Sequence, residues 1–140
     1  MTNKGIKRVV SFKAYSHREY NEQVRVFEWA KVYEKKYPCL KYLNASQNGL
    51  MANTKAMAVR AKKSGLKKGY PDLFLPYPKH DKYYSGLFIE LKRNLFLKEK
   101  KVYPSKEQRE WLNYLNSVGY KAIVCYGADQ AIQAIKEYLD

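Results

Sequence analysis

Acidic residues are scarce in this chain and unevenly spread. Its 140 residues carry 13 Asp and Glu against 27 Lys and Arg, for a formal net charge of +14. No acid at all interrupts positions 35 to 71, where Lys35, Lys36, Lys41, Lys55, Arg60, Lys62, Lys63, Lys67 and Lys68 lie. Such an excess contributes nothing to a fold and opposes compaction by self-repulsion, so its use lies in an anionic partner. Nucleic acid, an anionic membrane surface and an acidic protein all qualify, and a merely solvated lysine-rich face is the plain alternative. So long an acid-free stretch favours a polyanion.

Cysteine and histidine are also few. Cys39 and Cys125 stand far apart with no CxxC or Cys/His cluster, which excludes a disulfide framework and a zinc site and leaves two core thiols. His17 and His80 are isolated and read as surface residues. Long apolar runs are missing as well: Leu87 to Leu91 is among the longest, far too short to cross a bilayer, and the N-terminus lacks the apolar core of a signal peptide. The expectation is an intracellular, cytoplasmic protein with no membrane partner. There are no internal repeats and no low-complexity linker.

What is present is a hydrophobic fraction of 46% with 15% aromatics, enough for one core in a chain of 140 residues. A single domain over 1–140 is expected, with residues 1–15 as a basic N-terminal arm or edge strand. Ser16 and Glu19 have capping-box spacing, and Tyr20, Val24 and Phe27 with Val26, Trp29 and Tyr33 keep helical spacing until Pro38 ends the helix. Leu40 to Ala45 alternates as a strand does, and the Asn48-Gly49 turn leads into a basic helix from about Leu50 to Ser64, closed by Gly65. Asp72 to Leu75 and Tyr84 to Lys92 read as two antiparallel strands. Ser105 with Gln108 caps a third helix, which Gly119 ends; Lys121 to Tyr126 is a further strand. A final helix starts near Asp129 and buries Ile132, Ile135 and Leu139. The order α-β-α-β-β-α-β-α predicts an α/β fold, a central mixed sheet flanked by helices.

The anomaly is charge inside apolar strands. Asp72 opens one strand, and Glu90 and Lys92 close the next in Leu87-Phe88-Ile89-Glu90-Leu91-Lys92. Alternation puts Glu90 and Lys92 on one face, and antiparallel pairing brings the start of the first strand beside the end of the second, so Asp72 meets Glu90. Two adjacent carboxylates repel unless a cation sits between them, and hard oxygen ligands suit Mg²⁺ or Mn²⁺. A lysine beside them can orient a water or stabilise charge growing on a phosphate. A bare E-x-K is otherwise a commonplace exposed strand face; the preceding Gly-Tyr-Pro-Asp sets this one apart.

Gly69-Tyr70-Pro71-Asp72-Leu73 followed by Ile89-Glu90-Leu91-Lys92 resembles the PD-(D/E)xK nuclease superfamily, and within it the VRR-NUC branch. The resemblance runs from about Glu22 to Leu139. It takes in a glutamate on the first helix (Glu22), an Asn-Gly turn before a basic helix ending in Gly, a glutamine on the next helix (Gln108), the Gly119-Tyr120 turn and a closing helix ending in Tyr138-Leu139. The tripeptide that gives the branch its name is absent. The resemblance implies a restriction-endonuclease-like fold in which Asp72, Glu90 and the Leu91 carbonyl hold a Mg²⁺ or Mn²⁺ ion and Lys92 acts on the attacking water. It makes Glu22 an outer or second ligand, and Val26, Trp29 and Tyr33 at i+4, i+7 and i+11 place Glu22 on an inward stripe; a carboxylate favoured at a helix start by the macrodipole is the other reading. Gln108 either bonds the scissile phosphate or its water, or serves the cap alone.

The activity implied is DNA endonuclease, with no organic cofactor. Stand-alone members of the branch are similar to Holliday-junction resolvases and occur in phages as homodimers, which implies branched DNA, paired incision and, if phage-encoded, the host cytoplasm. Lys55, Arg60, Lys62, Lys63, Lys67 and Lys68 on one side of the site, and Arg93, Lys98, Lys100 and Lys101 on the other, are expected to grip phosphates without reading sequence. A non-catalytic basic nucleic-acid-binding protein on a nuclease scaffold, and an exonuclease with the same site, are the alternatives. The fourteen tyrosines serve as core filler or as platforms for unpaired bases.

Overall fold

A computed structural model describes residues 4–46, 54–95 and 99–140, with side chains of the first segment described from Glu19 onward. Helix α1 spans Lys4–Tyr33. It runs through both the arm or edge strand expected at 1–15 and the helix start expected at Ser16. No proline falls within it, and its one glycine, Gly5, stands at its beginning, so nothing in the backbone chemistry stops the helix short of Pro38.

Pro38–Tyr42 forms a 3-10 turn, and the strand expected from Leu40 shrinks to β1, Asn44–Ala45. Pro38, fixed in φ and lacking an N–H, favours the first turn of a helix over a sheet ladder. Leu40 and Leu43 still reach the core from this turn. Helix α2 covers Lys55–Lys63, with the Thr54 hydroxyl accepting from the Met57 N–H and Gly65 just beyond the end at a φ of 101°. No residue of α2 is buried. The Asn48-Gly49 turn lies outside the described residues.

Strand β2 is Leu73–Leu75, β3 is Leu87–Lys92 and β4 is Lys121–Tyr126. Tyr84, expected to start β3, instead closes a bridge to Lys79 in the loop before it. Helix α3 spans Lys106–Ser117 and α4 spans Ala128–Leu139. The sheet order is β1-β2-β3-β4, with the first two pairings antiparallel and β3 parallel to β4. That is the mixed sheet and element order the sequence predicts.

Alternation along β2 and β3 divides the interior in two. Leu73, Leu75, Leu87, Ile89 and Leu91 face a large cluster with Val26 and Ala30 of α1 and Ala131, Ile135 and Tyr138 of α4. On the opposite face Phe88 packs with Leu112 and Leu115 of α3 and Ala122 of β4, with Phe74 against it. On α4 the burial passes to Ala128, Ala131, Ile135 and Tyr138, while Ile132 and Leu139 are only partly covered. Cys125 is buried and Cys39 half-buried, both as free thiols.

The outer edge of β4 is occupied by side chains. Asn116 accepts from the Ala122 N–H at 3.0 Å and donates to the Ala122 carbonyl at 2.9 Å, and Gln130 accepts from the Tyr126 N–H at 2.9 Å.

Candidate active site

The face of β3 that carries Phe88 also carries Glu90 and Lys92, which become the charged members of the buried set at 3% and 8% exposure. On β2 the Leu73 to Ile89 register places Asp72 across from Glu90 and on the face of Phe74. Asp72 Oδ2 accepts from the Leu91 N–H at 2.7 Å. Its carboxylate takes the place that the Pro71 carbonyl would fill if β2 ran two residues further back.

Helix α3 closes the site from above. Ser105 and Gln108 form the expected capping box, with the Ser105 hydroxyl accepting from the Gln108 N–H and Gln108 Oε1 accepting from the Ser105 N–H. The same amide reaches into the site: Nε2 donates to Glu90 Oε1 at 2.7 Å, and Oε1 accepts from Lys92 Nζ at 2.9 Å. Gln108 thus serves the cap and, through the same amide, bonds both Glu90 and Lys92. Lys92 Nζ lies 3.5 Å from Glu90 Oε1.

Glu90 Oε2 is buried with no donor group of another residue on it, and the Glu90 and Asp72 carboxyls lie within hydrogen-bonding reach of one another. Burial, and then the Asp72 charge beside it, push the Glu90 carboxyl up to about 8 from its ordinary 4.5, against the opposing pull of Lys92. Burial raises Asp72 as well, opposed by the Leu91 N–H and further raised by the charge of Glu19. Asp72, Glu90, Lys92 and Gln108 therefore converge, as the sequence predicts, into a pair of carboxylates that cannot both ionise comfortably without a cation.

Glu22 is held at the start of α4. Its Oε2 accepts from the Ala128 N–H at the start of α4, and Arg25 donates to both of its oxygens at 3.2 and 3.5 Å while also bonding Asp129 at 2.9 Å. A carboxylate at a helix N-terminus satisfies an otherwise unpaired donor and the positive end of the dipole, which is where this one is committed. The carboxylate of α1 whose charge reaches Asp72 is Glu19, one turn earlier. The capping-box spacing gives Glu19 a structural use, and the i, i+3 spacing of Glu19 and Glu22 is the signal in the sequence that pairs the two. Among the described residues no group of three or more His, Cys, Asp and Glu side chains gathers.

The expected phosphate grips are mostly exposed. Lys55, Arg60, Lys62 and Lys63 lie on α2, with Lys67 and Lys68 between it and Asp72, and Lys100 and Lys101 lie in the segment leading to α3. Lys101 Nζ stands over the rings of Tyr126 and Tyr103 at 4.7 and 5.7 Å. Arg93 departs from the expectation: it is largely covered and pairs with Glu99 at 3.2 Å, so it is held by the protein. Lys98 lies outside the described residues.

A feature missed in the sequence is the contact of Gly69 with α3. Its φ is 87°, and a Cβ there would lie 2.6 Å from the Glu107 carbonyl carbon and 2.8 Å from the Gln108 nitrogen. The loop bearing Asp72 thereby touches the backbone of the turn bearing Gln108. A glycine before Tyr-Pro-Asp was visible; its neighbour was not.

A search of curated proteins returned no significant match. Among solved structures the fold is similar to a protein titled "VRR_NUC domain protein", with a TM-score of 0.69, 29% identity, and coverage of 87% of this chain and 88% of that one. The family model described as "VRR-NUC domain" matches residues 8–129. With its two strand motifs brought to one lip of the sheet beneath Gln108, the chain belongs to the VRR-NUC family of PD-(D/E)xK-like nucleases.

Proposed function

We propose that the protein is a Mg²⁺- or Mn²⁺-dependent endonuclease that hydrolyses DNA phosphodiester bonds, with Asp72, Glu90 and Lys92 as its working residues. The observation that carries this reading is the pair of buried carboxyls, Glu90 and Asp72, set side by side with no donor group on Glu90 Oε2. An oxygen left without a donor is costly unless something electropositive occupies its open side. Two carboxylates fit a hard divalent cation. The Leu91 carbonyl fits a third place, because the N–H of the same strand residue already points at Asp72 and both groups of a residue face the same neighbouring strand.

An ion held there would offset the charge of a phosphate and lower the pKa of a water. The chain's own residues do the rest. Asp72 and Glu90 would supply the negative charge that holds the ion, and the proton that Glu90 keeps in the metal-free site would pass to solvent as the ion binds. Gln108 fixes Glu90 through one amide end and Lys92 through the other. Lys92, held at the rim of the site, orients the attacking water or meets the charge growing on the phosphate oxygens. Glu19 takes the outer carboxylate role in place of Glu22, since its charge reaches Asp72.

The exposed basic residues of α2 and of the 67–68 and 100–101 segments hold the DNA by its phosphates, which positions the strand without reading bases. Branched or otherwise structured DNA is the proposed substrate. Symmetrical cutting of two strands requires two copies, and we place a homodimer at such a junction. Incubation with a four-way junction, a flap, an intact duplex and single strands, each with Mg²⁺, Mn²⁺ or EDTA, tests the reading. Metal-dependent internal cuts that favour the junction are the expected result. Failure to cut any of them with either metal overturns it, and binding without cutting leaves the non-catalytic scaffold.

A further inference from the structure

One turn along α3 from Gln108, an open groove of about 350 Å³ runs between that helix and the loop before Asp72, lined by Lys68, Glu107, Glu110, Trp111 and Tyr114. The Trp111 indole N–H donates to the Lys68 carbonyl at 3.2 Å, and the ring makes edge contacts with Tyr70 at 5.1 Å and Tyr114 at 6.3 Å. With its only donor used, Trp111 offers the groove its ring and nothing else. Tyr114 is 58% exposed, an aromatic ring that the core does not explain.

The charge of the groove runs against that of the chain. Glu107 and Glu110 line it, the former 3.8 Å from Lys68 Nζ. With Glu107 set against Lys68, Glu110 leaves the groove an excess carboxylate that disfavours a bare phosphate, so the groove borders the phosphate grip at Lys68 and differs from it in chemistry. Aromatic rings beside carboxylates suit a flat group that stacks and carries N–H donors. A nucleobase has both features, and guanine presents two neighbouring donors, N1–H and the exocyclic amine, to one carboxylate.

We infer that this groove receives an unpaired base, guanine by preference, of the strand whose phosphate lies at Asp72 and Glu90. The inference rests on the nuclease reading for what brings DNA to the site. Distance supports the match: Gln108 and Trp111 are three residues apart, about 4.5 Å of helix rise. Lys68 and Asp72 are four apart, at most about 14 Å of chain. The groove is therefore within a nucleotide or two of the reacting bond. It gives a nuclease that otherwise grips phosphates a means of selecting strands with a base out of the helix.

The test reads binding, so it stands apart from cutting. Full-length protein carrying Trp29→Phe has Trp111 as its remaining tryptophan. Its fluorescence is titrated in EDTA with five-nucleotide strands of dT bearing one dG, dA, dC or abasic site. Quenching is expected, with the dG strand bound about tenfold more tightly than the all-dT strand and the abasic strand weakest. Tyr114→Ala and, separately, Glu110→Gln, both at exposed positions, should remove that preference while leaving the salt dependence of binding intact. Equal affinity for all strands, or a dG preference untouched by both variants, overturns the inference. Absence of any cleavage activity alongside a retained dG preference would overturn the nuclease reading and leave the base site standing.

Discussion

Gln108 presents its Nε2 to Glu90 Oε1 at 2.7 Å, and this one contact joins the start of α3 to the centre of the sheet. The amide has no freedom to flip, because its other end accepts from both the Ser105 N–H and Lys92 Nζ. Gln108→Ala removes the reciprocal half of the capping box, leaving the Ser105 hydroxyl on the backbone N–H of residue 108, and takes one hydrogen bond each from Glu90 and Lys92, which keep their 3.5 Å contact with each other. We expect a lower melting temperature and a cleavage rate reduced at least about tenfold, since each 1.4 kcal/mol of lost positioning is one decade. Thermal unfolding and single-turnover cleavage measure the two; a parental rate would mean that Gln108 serves the cap alone.

Asp72 and Lys92 should separate cutting from binding. Asp72→Asn retains an oxygen to accept from the Leu91 N–H yet removes the charge that opposes Glu90. It should abolish cleavage and raise the melting temperature of the metal-free protein, the trade expected where a site is strained for function. Asp72→Ala lacks that oxygen and should be inactive and less stable. Lys92→Met should also be inactive while DNA affinity, measured by anisotropy, changes little. Cleavage by Asp72→Asn at the parental rate would remove Asp72 from the site.

The pH dependence follows from Glu90. The folded chain keeps that proton up to about 8, whereas the unfolded chain releases it around 4.5. The unfolded state therefore binds fewer protons between those values, and metal-free stability declines as pH rises through that window. Divalent metal should offset the decline, raising the melting temperature more at pH 8 than at pH 6. Cleavage at limiting metal should climb with pH and level off near 8. Unfolding scans and initial rates across that range check both; a rate that falls from pH 6 to 8 would contradict a protonated Glu90.

Gly69 and Gly65 make a matched pair. Both have positive φ, but a Cβ at Gly65 meets nothing within 4 Å, while one at Gly69 strikes the first turn of α3. Gly65→Ala should cost stability through backbone strain alone, about 1 kcal/mol, and leave the cleavage rate unchanged. Gly69→Ala should cost more and also slow cleavage, because it parts Asp72 from Gln108. Equal rates in the two variants would show that this contact does not position the site.

The site was legible where its parts are local. Glu90 and Lys92 share a strand, Asp72 follows from antiparallel register, and the Ser105 and Gln108 box is written in four residues. Glu22 is less legible because helical spacing selects a stripe, and the stripe holds two carboxylates one turn apart; its hold on the Ala128 N–H of α4 is a tertiary contact that the spacing does not contain. Residues 4–15 of α1 lack an apolar period, so a continuous helix there carries no sequence signature. Leu40 to Ala45 had the alternation of a strand, but Pro38 drew its first half into a turn that buries Leu40 by another route.

Asn116 and Gln130 hold the rim of β4 by its own amides and carbonyl. An uncovered strand border ordinarily invites another polypeptide to continue the ladder, a route to clumping for any protein crowded onto a long polyanion. Here the invitation is largely withdrawn. Association along this border would have to come from helix faces or loops, leaving β4 itself out of the joint.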